Sequence, residues 1–172
     1  MPQDRTLSIL CTFNGFYRPS DGGYGGTMTY AITGSNPDMG PIVAPTGAID
    51  IDNAPAFDPS VYTARVDITF TLAGGCTLQN GTVVPVIWAP NLSGDQGAMV
   101  LMDVDQNGNP TQPASSADVE AKWVAGNTLQ IEVDDKNESK NYYFRPGIVI
   151  PALNNYYISV DPPLVNRQTG GR

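Results

Sequence analysis

Residues 62–72 read YTARVDITFTL. Tyr62, Ala64, Val66, Ile68, Phe70 and Leu72 fall on one side of an extended chain; Thr63, Arg65, Asp67, Thr69 and Thr71 fall on the other. Apolar and polar residues alternate with a period of two over eleven residues. That is the mark of a strand with one face against a core and one in water.

Working outward, strand-like runs recur at short intervals: Leu7–Phe13, Thr27–Thr33, Ala48–Ile51, Thr82–Ala89, Ala98–Val104, Val119–Val124, Leu129–Val133, Tyr142–Ile150 and Tyr156–Val160. Even spacing of short strands points to a sandwich or barrel. Eighteen glycines and fifteen prolines supply the turns between them. Asn-Gly pairs at 14–15, 80–81 and 107–108 read as hairpin turns, because both residues accept positive φ cheaply. Pro85 and Pro146 each remove a ladder donor, which predicts edge or bulged strands. Helix signals are confined to 114–124, where Val119, Ala121 and Trp123 alternate as in a strand; the reading is a strand, or one helical turn leading into one. Five prolines between Ser35 and Pro59 suggest a long surface connection with one short strand. The expectation is one all-β domain over 1–172. It is a single-domain antiparallel β-sandwich of Ig-like, cupredoxin-like or jelly-roll topology with about 8–10 strands, little or no helix, and a frayed tail at 168–172.

Composition narrows the chemistry. The chain has no histidine, so Ser-His-Asp and Cys-His catalysis and imidazole-based zinc or copper sites are excluded. Its two cysteines are too few for a four-thiolate site within the chain. A net charge of −8 with no basic cluster argues against a nucleic-acid partner. No basic leader with an apolar run opens the sequence, and no apolar stretch is long enough for a membrane span, so the default expectation is a cytoplasmic protein. Cys11 lies on the apolar side of TLSILCTF and reads as a buried free thiol; a Cys11–Cys76 disulfide is the alternative.

Carboxylates are the chemistry that remains. DVDQNGNP, 103–110, places Asp103, Asp105, Asn107 and Gly108 at the first, third, fifth and sixth positions of a calcium loop. The twelfth position, which needs a bidentate Glu, is Ala114, so the stretch is not an EF-hand; its competing reading is a hairpin turn with two aspartates facing water. AIDIDN, 48–53, repeats the pattern with Asp50 and Asp52. On strands, each pair would project two carboxylates from one face, and a cation such as calcium would relieve the crowding if the pairs met. The Gly/Tyr-rich stretch 16–30 offers Tyr17, Tyr24 and Tyr30 as flat faces for a sugar or a protein. The charged tip Asp134–Lys140 reads as a solvated turn, and Arg167 as a candidate partner for a carboxylate.

The function these features favour is a non-catalytic binding or assembly protein whose partner is another protein or a copy of itself. A lectin-like carbohydrate-binding module, calcium-assisted through the aspartate pairs, is the alternative. A carboxylate-dependent glycoside hydrolase is the second, needing two acids about 5–10 Å apart in a cleft.

Overall fold

The computed structural model describes residues 1–135 and 141–160, together with the backbone of 164–166. It is an all-β sandwich of two packed sheets, and no α-helix occurs among the described residues. The tail at 168–172, Arg167 and the tip residues 136–140 lie outside that range.

The first sheet holds the long strands. Its order is β2 (Gly23–Asn36), β1 (Gln3–Arg18), β4 (Tyr62–Thr77), β10 (Thr128–Asp134) and β9 (Val119–Ala125), with β5 (Val83–Pro85) on the far end of β4. The alternation seen at 62–72 holds from Val66 to Leu72, with Val66, Ile68, Phe70 and Leu72 buried. Before Val66 it breaks, because the β1 register jumps from Gln3↔Tyr62 to Arg5↔Val66 and the extra residues of β4 form a bulge. Leu7, Ile9, Cys11 and Phe13 on β1, and Leu129, Ile131 and Val133 on β10, complete the inner face.

The expectation of a purely antiparallel sheet needs correction. The long pairing of β1 with β4 is parallel. Parallel neighbours require a crossover of a dozen or more residues, and residues 19–61 provide one by way of β2 and the short strand β3 (Ile49–Asp50) of the other sheet. This also overturns the reading of 35–59 as surface connection, since Met39, Ile42, Ile49, Ile51 and Ala54 are buried in the core.

The second sheet is built around β11 (Asn141–Ile150). Up to Pro146, β11 lies between β13 (Leu164–Asn166) and β7 (Met99–Val104); from Gly147 onward its partners are β12 (Tyr156–Ser159) and β6 (Ile87–Trp88). Pro146 thus sits in a central strand, not at an edge or bulge; it stands where both partners change, the place where a missing donor costs least. β3 pairs with β13, and β8 (Pro110–Pro113) pairs with β7. Because what reads as one strand is repeatedly interrupted, the described residues form thirteen strands, above the expected 8–10.

Two of the three Asn-Gly pairs form turns, with Gly81 and Gly108 at φ of 86° and 83°. The third is mid-strand: Gly15 pairs with Cys76, and a Cβ there would meet Cys76 Sγ at 2.8 Å. Ser115 to Asp118 make one turn leading into β9. Cys11 and Cys76 are both free and buried, and burial pushes both thiols above their ordinary range. Cys76 pairs opposite Gly15, four residues along β1 from Cys11, which puts the thiols roughly 13 Å apart, beyond disulfide reach.

The core also encloses an ion pair the sequence reading missed. Arg5 Nη2 lies 3.1 Å from Asp135 Oδ2 and donates to Ala64 O at 2.7 Å, while Arg5 Cζ sits 4.2 Å from the centre of the Phe57 ring. Asp135 belonged to the stretch read as a solvated tip, yet its side chain is 2% exposed. Buried charge requires such a partner and such a hydrogen bond.

Candidate functional site

The Gly/Tyr-rich stretch 16–30 is a hairpin, not an open loop. Its strands β1 and β2 put Tyr17 directly opposite Tyr24, and these rings meet edge to face with centroids 5.4 Å apart. Tyr156 of β12 joins them, 5.7 Å from Tyr24, and its hydroxyl accepts the Tyr24 N–H at 3.2 Å. Tyr24 and Tyr156 flank a polar cleft of about 310 Å³ between the edges of β2 and β12. Tyr30 does not join this group. It is buried against Phe144 at the centre of the sandwich, so its place among the candidate ligand-facing tyrosines is withdrawn. Its position on the buried face of β2 follows from alternation with Met28.

The two aspartate pairs do not meet. β3, which carries Asp50, is separated from β7, which carries Asp103, by β13 and β11. Three strand spacings place them roughly 14 Å apart. The i,i+2 geometry also fails locally, since β3 is only two residues long and Asp52 falls in a 3-10 turn at Ile51–Asn53. The Asp50 carboxylate accepts the Asn53 side-chain amide. In DVDQNGNP the hairpin reading prevails. Asp105 Oδ1 accepts the N–H groups of Asn107 at 2.9 Å and Asn109 at 3.0 Å. Those donors, Asn109 foremost, hold the Asp105 carboxyl below its ordinary range. Asp103 Oδ2 accepts from the Gln112 amide at 3.2 Å across the hairpin. Asn107 contributes its backbone N–H to this turn. The D-x-D-x-N-G pattern is therefore spent on turn chemistry.

A different carboxylate group does assemble. Asp4, Asp67 and Glu132, from β1, β4 and β10, bring ligand-capable oxygens within 4.8 Å of one another. Arg65 lies 3.3 Å from Glu132 and 3.9 Å from Asp4, and Thr63 donates to Asp4 at 2.6 Å, so the group has its own counter-charge. Partial burial, then Asp4 and Glu132, push the Asp67 carboxyl above its ordinary range. Asp67 and Glu132 are direct cross-strand partners. Both residues stand in stretches legible as strands, but nothing in the sequence says that those strands pair.

Beyond this group the outer face of the first sheet changes character. Between Ser8 and Phe16 on β1, the outward residues are Ser8, Leu10, Thr12, Asn14 and Phe16. Their neighbours on β2 are Gly34, Ala31, Thr29, Thr27 and Gly25; on β4 they are Thr69, Thr71, Ala73, Gly75 and Thr77. Gln130 and Thr128 of β10, Trp123 and Ala125 of β9, and Val83 and Pro85 of β5 extend the rows. None of these residues is charged. Trp123, Phe16 and Val83 are 44%, 43% and 67% exposed. The face is rich in threonine and glycine and four to five strands wide. On a chain of net charge −8, the charge at this face stands at its two ends, Asp4, Asp67 and Glu132 at one and Arg18, paired with Asp21, at the other.

No family model matches the chain, and no curated protein matches it. A solved structure similar to it is that of the inclusion body protein PixA from Burkholderia cenocepacia J2315. Identity is 8%, the alignment covers 96% of this chain and 97% of that one, and the TM-score is 0.31, a likeness too loose to bear on function.

Proposed function

We propose that the chain is a non-catalytic β-sandwich that assembles with a second copy of itself through the outer face of its first sheet. The observation that carries this reading is the absence of charge from Ser8 to Phe16 and across the neighbouring strands. A sheet face that stays in water is ordinarily dressed in charged residues, whereas the centres of protein interfaces are depleted of them and enriched in aromatics. Strand and residue spacings give the face roughly 600 Å². Two copies would bury about 1,200 Å², the low end for specific interfaces.

Edge-to-edge pairing is the less favoured route. β8 carries proline at both ends, and β9 has a bulge at the exposed Lys122, both devices that blunt an edge. Hydrolysis is less favoured because Asp67 and Glu132 are cross-strand neighbours on one sheet and Glu132 is already paired with Arg65. A carbohydrate role ranks second, resting on the polar cleft beside Tyr24 and Tyr156.

Sedimentation equilibrium on the full chain tests the proposal. Thr12 and Thr29 are exposed cross-strand partners at the middle of the face. The wild type is expected to dimerise with rising concentration, and more tightly at higher salt as the −8 charges are screened. The single variant Thr12→Glu should remain monomeric at every concentration while keeping the folded far-UV signal of the wild type. A wild type that stays monomeric, or a variant that dimerises equally, refutes the reading.

A further inference from the structure

The outer face of the second sheet differs from that of the first: it is concave. Val100 and Met102 of β7 lie opposite Arg145 and Tyr143 of β11, and Pro110 and Pro113 of β8 flank them. Together they line a cavity of about 490 Å³, within the roughly 300–1,000 Å³ typical of small-molecule sites. Its walls are chiefly apolar. The charged residues at its lining are Asp95 and Arg145, the latter a half-buried cation whose Nε is sealed from solvent and has no hydrogen-bond partner among the described residues. Among the described residues no carboxylate pairs with the Arg145 guanidinium, although the chain has 17 acidic residues to 9 basic ones. Asp95 lies at the cavity's lining without forming an ion pair with it.

The sealed Nε is closed to the cavity too, so a ligand would meet the rest of the half-buried guanidinium that lines it; an arginine with no carboxylate of its own is suited to a planar carboxylate, which it grips through paired N–H groups. The apolar walls call for an apolar body attached to that carboxylate. We infer that this cavity binds a small aliphatic carboxylic acid, its carboxylate on Arg145 and its chain against Val100, Met102 and the two β8 prolines. This site lies on the opposite sheet from the assembly face and is independent of that proposal.

Octanoate is a suitable probe, with octan-1-ol as the uncharged counterpart. Titrated into the full chain and followed by amide shifts, octanoate should bind 1:1 and saturably. The perturbed amides should cluster at 100–102 and 143–145. Arg145→Met should weaken octanoate about tenfold or more while leaving octan-1-ol binding unchanged. Met102→Glu, which puts a like charge inside the cavity, should abolish octanoate binding even if the Arg145 variant does not fold. The inference is overturned if octanoate produces no saturable shifts at millimolar concentration. It is also overturned if either folded variant binds octanoate as the wild type does, or if the shifts map elsewhere.

Discussion

The two sheets share one core but are made differently. The first is built on long strands, with β1, β2 and β4 running 16, 14 and 16 residues, and its outer face is broad and continuous. The second is assembled from short pieces around β11, and its interruptions leave a cavity on its outside. Continuity yields a broad surface suited to another broad surface; interruption yields a concavity suited to a small molecule. The same contrast should govern tolerance to change. The first sheet is expected to behave as a rigid frame, held by its long ladders, and the second to yield at its connections.

The largest effect is expected where the frame closes on its buried charge. Arg5→Met removes the guanidinium from Asp135 and should cost about 3 kcal/mol in urea denaturation. Gly74→Ala should follow closely, at about 3 kcal/mol. Gly74 has φ of 91°, and a Cβ would lie 2.0 Å from Phe13 O in the locked β1–β4 pairing. Gly147→Ala makes a similar clash, 2.1 Å from Gly97 O, but in the second sheet and against the 90–98 connection. Gly97 stands outside any strand, where a shift breaks no ladder, so about 1–2 kcal/mol is expected. If Gly147→Ala costs as much as Gly74→Ala, the distinction between frame and yielding sheet fails.

The smallest effect concerns the carboxylate end of the broad face. Asp67 titrates above its ordinary range, so its ionised form destabilises the fold at neutral pH, and that penalty is relieved as pH falls through the raised value. Asp67→Asn should therefore stabilise the protein by roughly half a kcal/mol at neutral pH, after allowance for solvent screening. It should also abolish that part of the recovery on mild acidification. Asp105 works with the opposite sign. Its carboxyl is held low by turn N–H groups, so its contribution is present above the unfolded value and fades as pH falls through the lower folded one. Melting curves across the acid range separate the two, since only the first is removed by Asp67→Asn.

How far the sequence could be read follows the same division. The alternation at 66–72 marks a two-faced strand because burial on one face alone imposes period two. The row Leu7, Ile9, Cys11, Phe13 carried a similar signal, but it gave no sign that Arg5, next on the same face, is a buried charge. Its partner, Asp135, could not be found, because the bond spans 130 residues. The parallel β1–β4 pairing was hidden for a related reason: orientation is decided by where the 19–61 crossover travels, which local pattern does not encode. Site residues failed where motif spacing was trusted over topology. Asp50 and Asp103 looked alike in sequence and stand three strand spacings apart. The uncharged face was legible only in part, as the threonines of β4; its extent depends on which strands lie beside them.

The central claim is that this uncharged face is covered in solution. A water-soluble paramagnet added to the full chain reports it most directly, through the methyl signals of Thr12, Thr29 and Thr71. The account predicts that these signals are shielded at high protein concentration and become broadened on dilution, while Thr111 on β8 is broadened throughout. Equal broadening of all four threonines at every concentration would contradict it.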